Sequence, residues 1–286
     1  MVSKLVCLFL FLSYNGFKNV SLGLDGTAEI TKNGLVMLTN LTEERKGHAF
    51  YPKPLSFKNK STGEAFSFST TFVFAIVPQY RPRSGGHGMV FVIAPSTRLT
   101  GATGQFLGLF NRSSNGKSSN HVLAIEFDTV VSSTFSDPNQ NHVGIDINSL
   151  NSTISAPLNG TRPGDRNLLL MSGKTMQAWI DYNGSQTHLT VTLALLNAPK
   201  PKIPLLSLRY NLSFVLLDSM FVGFSAATGS ATLSFHYVQG WSFQMNGQAQ
   251  ELDLKKLPKL PRIRANEQSK TLTIALPVGA EFPDSL

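Results

Sequence analysis

Three carboxylates and one imidazole, crowded into one short stretch, are the residues of this 286-residue chain best suited to chemistry. They are Glu126, Asp128, Asp137 and His142, in the arrangement E-x-D-x8-D-x4-H. Strict alternation in His121–Thr129 puts Leu123, Ile125 and Phe127 on one face of a strand and Ala124, Glu126 and Asp128 on the other. A pleated strand then presents two carboxylates about 7 Å apart. A polar loop, Val131–Asn141, leads to His142, which opens a second strand running to Asn148. Acids and an imidazole converging on a loop base must repel one another or share a cation. Imidazole with carboxylates suits a transition ion such as Mn²⁺, and an all-oxygen set suits Ca²⁺. The competing reading is a solvated strand end beside a structural histidine, and spacing alone leaves both open.

An enzymatic use of the same carboxylates fails on count. Laminarinase-like glycoside hydrolases carry E-x-D-x-x-E on a strand, but here Val131 occupies the last position. Retaining hydrolysis needs two carboxyls about 5–5.5 Å apart across the sugar, and Asp128 cannot serve as both. No Gly-x-Ser-x-Gly elbow or phosphate-cradling glycine loop occurs elsewhere. The chain reads as a binding protein.

The elements that position these residues are strands. In Phe66–Ile76, Phe66, Phe68, Phe72, Phe74 and Ile76 share one face. Further strands are expected at Met89–Ala94, His142–Ile147, Met176–Tyr182, Leu189–Leu195, Met220–Ala226 and His236–Phe243, separated by Gly, Pro, Asn and Ser clusters. No long segment has a capped helical repeat. So many evenly spaced strands predict an all-β sandwich or jelly roll. Hydrophobic residues make up 42% of the chain, enough for a large core, and Phe alone contributes 20 residues. Charged residues are only 15%, against an average near 25%, which excludes a disordered chain and a long-helix protein. A single cysteine, Cys7, excludes an internal disulfide and a thiolate zinc site.

The ends and surface point outside the cell. Lys4 precedes the apolar run Leu5–Leu12, a secretory-type leader (residues 1–12) that overlaps a first strand at Phe11–Phe17. Asn-x-Ser/Thr sequons begin at Asn19, Asn40, Asn59, Asn111, Asn151, Asn159, Asn183 and Asn211, the pattern of a glycoprotein. No apolar stretch reaches transmembrane length. From Glu251 to Leu286 the composition becomes that of a Pro/Lys-rich stalk. The net charge of +8 is spread over strands, loops and this tail, so it asks for no nucleic acid and at most for weak adhesion to acidic wall polymers.

Leu123-Ala-Ile-Glu-Phe-Asp-Thr129 resembles the β-chain signature of legume (L-type) lectins, and His142–Ser149 resembles their following strand. The likeness continues through Gly86–Pro95, Phe106–Asn111, Ala178–Gly184, Val222–Gly229 and Gly240–Phe243, covering about residues 11–250 in family order. Gly47-His-Ala-Phe-Tyr-Pro52 and Leu257-Pro-Lys-Leu-Pro261 are closer to the ectodomains of plant L-type lectin receptor kinases, without their membrane and kinase parts. The resemblance implies a concanavalin A-like jelly roll of a flat back sheet and a curved front sheet. It also implies Mn²⁺ held by Glu126, Asp128, Asp137 and His142. Ca²⁺ would be shared by Asp128 and Asp137 with the carbonyl of Val130 and the side chain of Ser132. A shallow sugar site would involve His87, Gly104, Gln105, Val130, Ser132 and Ser230.

Three departures weaken that site. Ser132 stands where the family usually has an asparagine that serves both Ca²⁺ and sugar, so the Ca²⁺ expectation is the weaker of the two. Val130 replaces a stacking aromatic ring. His87 replaces an aspartate that accepts two sugar hydroxyls, which an imidazole cannot do. Two functions are therefore expected to compete: metal-dependent binding of a glycan or cell-wall polysaccharide, and recognition of a small apolar ligand, a peptide or another receptor ectodomain. The family also implies a possible homodimer through the back sheet.

Overall fold

The computed structural model describes residues 11–79, 86–160 and 168–261. The apolar leader up to Leu10, Cys7 and the tail beyond Pro261 lie outside the described residues. Sixteen strands among them form two antiparallel sheets. The back sheet runs β14 (Leu206–Arg209), β13 (His188–Leu195), β12 (Met176–Asn183), β7 (Phe68–Pro78), β16 (Ser234–Met245), β4 (Val36–Thr39) and β3 (Glu29–Ile30), with β1 (Phe11–Tyr14) also paired to β16. The front sheet runs β11 (Ile154–Pro157), β10 (His142–Ile147), β9 (Leu123–Asp128), β8 (Gly88–Ala94), β15 (Ser219–Ala227), β5 (Lys46–Phe50) and β2 (Gly23–Gly26), with β6 (Leu55–Ser56) paired to β15. The only helical elements among the described residues are five three-residue 3₁₀ turns.

Alternation decides which side chains meet between the sheets. Phe68, Phe72, Phe74 and Ile76 of β7 face Met89, Phe91 and Ile93 of β8 and Leu123, Ile125 and Phe127 of β9. The Phe72 ring lies at the centre, 5.0 Å from Phe224 and 5.8 Å from Phe127, both edge-on, and 6.0 Å from Phe91 in a stack. Trp241 is fully buried and donates its indole N–H to Thr70 Oγ1 at 3.0 Å, so its polar edge is satisfied.

The outer faces of both sheets are also partly covered. Val90, Val92 and Ala124 pack beneath Phe106, Leu107 and Leu109, so a loop roofs the front sheet. On the back sheet, Ala75, Val77 and Tyr237 form a smaller apolar patch with Leu35, and Leu260 packs against it. Pro258 accepts a bond from Gln239 Nε2 and Lys259 one from Asn33 Nδ2. Residues 251–261, expected as the start of a stalk, thus lie along the back sheet.

Candidate functional site

The two strands that bear the acids and the imidazole are directly hydrogen-bonded neighbours. His142 pairs with Asp128 and Gly144 with Glu126 in the β9–β10 register, and Gly88 of β8 pairs with Asp128 on the other side. The strand ends therefore bring Glu126, Asp128 and His142 together, with ligand atoms within 4.8 Å of one another and all three residues buried. His142 Nε2 is 3.2 Å from Glu126 Oε1 and 3.8 Å from Asp137 Oδ1. Its Nδ1 donates to the carbonyl of Asn139 at 2.7 Å, which fixes the ring and leaves Nε2 turned towards the carboxylates. The loop is folded by its own acids. Val130 N donates to Asp128 Oδ1 at 2.6 Å, and Ser132 N donates to Asp137 Oδ2 at 2.7 Å.

Two residues join this cluster that spacing analysis missed. Asp146 is fully buried, and one of its oxygens has no hydrogen-bond partner. Ser152 Oγ lies 2.7 Å from Glu126 Oε1 and 2.6 Å from Asp146 Oδ1. A signal for Asp146 existed, because His142, Gly144 and Asp146 alternate onto one face of β10. Ser152 carried none, since only the turn after β10 brings it back. Gly144 is needed between them. A Cβ there would stand 3.0 Å from Glu126 Cγ and collide with Ser152 Oγ.

Four carboxylates thus crowd one imidazole. Burial, then the Glu126 charge, pushes Asp128 and Asp146 well above the usual carboxylate range. Burial raises Asp137 to about 6. For His142 burial acts downward, but Glu126, Asp128 and Asp137 outweigh it and carry the ring up to about 9. The cluster attracts positive charge, and its donor set of carboxylates with an oriented imidazole fits a divalent cation.

The other expected residues line the same rim. Ser132 Oγ donates to Gln105 Oε1 at 2.7 Å, and Gly104 N donates to the carbonyl of Thr228 at 3.1 Å. His87 lies between two glycines: a Cβ on Gly104 would be 3.6 Å from its Nε2, and one on Gly229 would strike it. Ser230 follows Gly229 and is exposed. Val130 is half-buried, and beside it Val131 is 52% exposed, an apolar residue on the rim that the sequence had marked only as loop. His87, Gly104, Gln105 and Ser132 are brought together, while Val130 and Ser230 flank them. Of the sequons, Asn59 and Asn211 line one open cavity of about 400 Å³ with Gly184 and Ser185 of the Asn183 sequon, at the β7-start edge of the back sheet. Asn40 differs, because its side-chain oxygen is buried without a partner.

This is the architecture of a lectin-type sandwich. The legume lectin domain model matches residues 9–259, and the chain belongs to that family. It is 47% identical over 276 residues to the L-type lectin-domain containing receptor kinase IV.1 of Arabidopsis thaliana, covering 95% of this chain and 41% of that protein. The chain spans about two fifths of the length of the curated relatives it matches. Among solved structures, basic winged bean lectin with Tn-antigen superposes with a TM-score of 0.71 at 30% identity, covering 84% of this chain and all of that one. Peanut lectin with a nine-residue peptide superposes with a TM-score of 0.71 at 27% identity, covering 83% and 97%.

Proposed function

We propose that this chain is an extracellular recognition domain that binds carbohydrate, a glycan or cell-wall polysaccharide, on a rim organised by bound Mn²⁺ and Ca²⁺. The observation that carries the reading is the buried, oriented set Glu126, Asp128, Asp137 and His142 beneath the loops of His87, Gly104, Gln105 and Ser132. Glu126, Asp128, Asp137 and His142 would hold the transition ion, and Asp128, Asp137, the carbonyl of Val130 and Ser132 would hold calcium. The ions would supply fixed positive charge that pins the loop between Val130 and Asn141, so that binding energy becomes folding energy. Secretion, glycosylation at the eight sequons from Asn19 to Asn211, and a homodimer through the back sheet belong to the same reading, as does the division into leader, lectin domain (residues 11–250) and tail.

A second reading is favoured by the rim itself. Val130 and exposed Val131 offer no ring for a sugar, and His87 offers no paired acceptor. The peptide in the peanut lectin structure supports a receptor-type module that takes a peptide, a small apolar ligand or a partner ectodomain. A glycan array separates the two. Metal-loaded chain should give signals that disappear in EDTA and return with Ca²⁺ and Mn²⁺. A blank array from folded, metal-loaded chain would overturn the sugar reading in favour of the second.

A further inference from the structure

We propose that Lys46, His48 and Ser225 are positioning residues that latch the loop between Leu99 and Leu109, and so set where Gly104 and Gln105 stand beside the metal loop. The proposal rests on the rim reading above for its consequence, but not for its geometry. Three side chains from two paired strands each reach a carbonyl of this one loop. Lys46 Nζ donates to Gly101 O at 2.5 Å and approaches Leu99 O at 3.5 Å. His48 Nε2 lies 3.1 Å from Gly108 O, and Ser225 Oγ donates to Leu107 O at 2.6 Å. His48 and Ser225 are register partners between β5 and β15, and Lys46 pairs with Ala227 two residues along.

Burial makes these bonds consequential. His48 and Ser225 are fully buried on the front-sheet face that the loop covers. A polar group sunk there without a partner is destabilising, so each side chain and its carbonyl hold one another in place. Burial keeps the His48 pKa below its usual value, against the upward pull of the Gly108 carbonyl and Asp25. Both ring nitrogens face acceptors, Nε2 towards Gly108 O at 3.1 Å and Nδ1 towards Asp25 Oδ2 at 3.2 Å, and the two contacts together orient the ring.

Close approach also explains Gly108. It has φ +75°, and a Cβ there would lie 2.7 Å from Ser225 Oγ and 2.9 Å from His48 Nε2. The far side of the loop meets the metal loop. Gln105 accepts from Ser132 Oγ at 2.7 Å, and Phe106 packs edge-on against Phe135 at 5.5 Å. Latch, loop and metal loop are therefore mechanically continuous.

Amide hydrogen exchange on the metal-loaded full chain tests this without any sugar. In Ser225→Ala, Lys46→Met and His48→Phe, amides of residues 101–109 should exchange about tenfold faster or more, while Leu123–Asp128 stays as in the unmodified chain. His48→Gln, whose amide can donate to Gly108 O, should recover most of the protection. Unchanged exchange in 101–109, or acceleration that appears equally in Leu123–Asp128, would overturn the latch. Should His48→Phe not fold, Lys46→Met at its half-buried site still decides. A loosened loop with a blank glycan array sinks the sugar reading and leaves the latch standing; sugar binding with unchanged exchange does the reverse.

Discussion

The side chains of the candidate centre divide by how far each is from its partners in sequence. Glu126, Asp128, Asp137 and His142 were legible because alternation and a short loop fix their convergence almost locally. Asp146 and Ser152 were not, because their place depends on β10 and its turn folding back over Glu126. Gly144 is the residue that makes room for Ser152 beside Glu126. Gly144→Ala should therefore weaken transition-metal affinity by about 10- to 100-fold, the range for losing outer support of a ligand, with calorimetric metal titration as the readout.

A second prediction at this scale concerns pH. His236 is fully buried, its Nδ1 bonded to Thr39 Oγ1 at 2.6 Å and its Nε2 without a partner. Burial, helped by His87, lowers its pKa to about 3. The unfolded chain takes up that proton near pH 6.5 and the folded chain only near 3. Stability contributed by neutral His236 is thus complete above about pH 6.5 and is lost as pH falls towards 3, by up to ~1.4 kcal/mol per pH unit. Denaturant unfolding at pH 7, 5.5 and 4 should show a shallower loss of stability in His236→Leu than in the unmodified chain.

At the scale of elements, the long central strands were readable and, apart from β1 within the expected Phe11–Phe17, the short outer ones were not. β7, β8, β9, β10, β12, β13, β15 and β16 all fall on expected segments, because each buries an alternating apolar face. Expected Phe66–Ile76 is shifted to Phe68–Pro78, since Phe66 instead donates its N–H to Phe57 O before the strand proper. β2, β3 and β6 have only two to four residues and exist because a neighbour offers a free edge, which leaves no pattern to find. The central strands meet at Phe72, whose ring touches Phe91, Phe127 and Phe224 from three other strands. Phe72→Ala should cost ~3–5 kcal/mol in denaturant unfolding. A cost below ~1 kcal/mol would contradict the account of the core.

Across the whole molecule, a length of 286 residues allows one large domain or two small ones, and the described residues form two sheets that share one aromatic core. What the sequence could not convey is the outer cover. The loop over the front sheet is held by buried Ser225 and His48, and the segment at 251–261 by Leu260 and the side-chain amides of Gln239 and Asn33, contacts that join separate parts of the chain. The front-sheet cover brings Gln105 against Ser132 of the acid-bearing loop. The most direct test is the metal content of purified chain after dialysis against Ca²⁺ and Mn²⁺ and removal of free ions. About one transition ion and about one calcium per chain, with a melting temperature that falls on adding EDTA, is the result expected from this donor set. Finding neither ion, with melting unchanged by EDTA, would contradict the metal-organised rim.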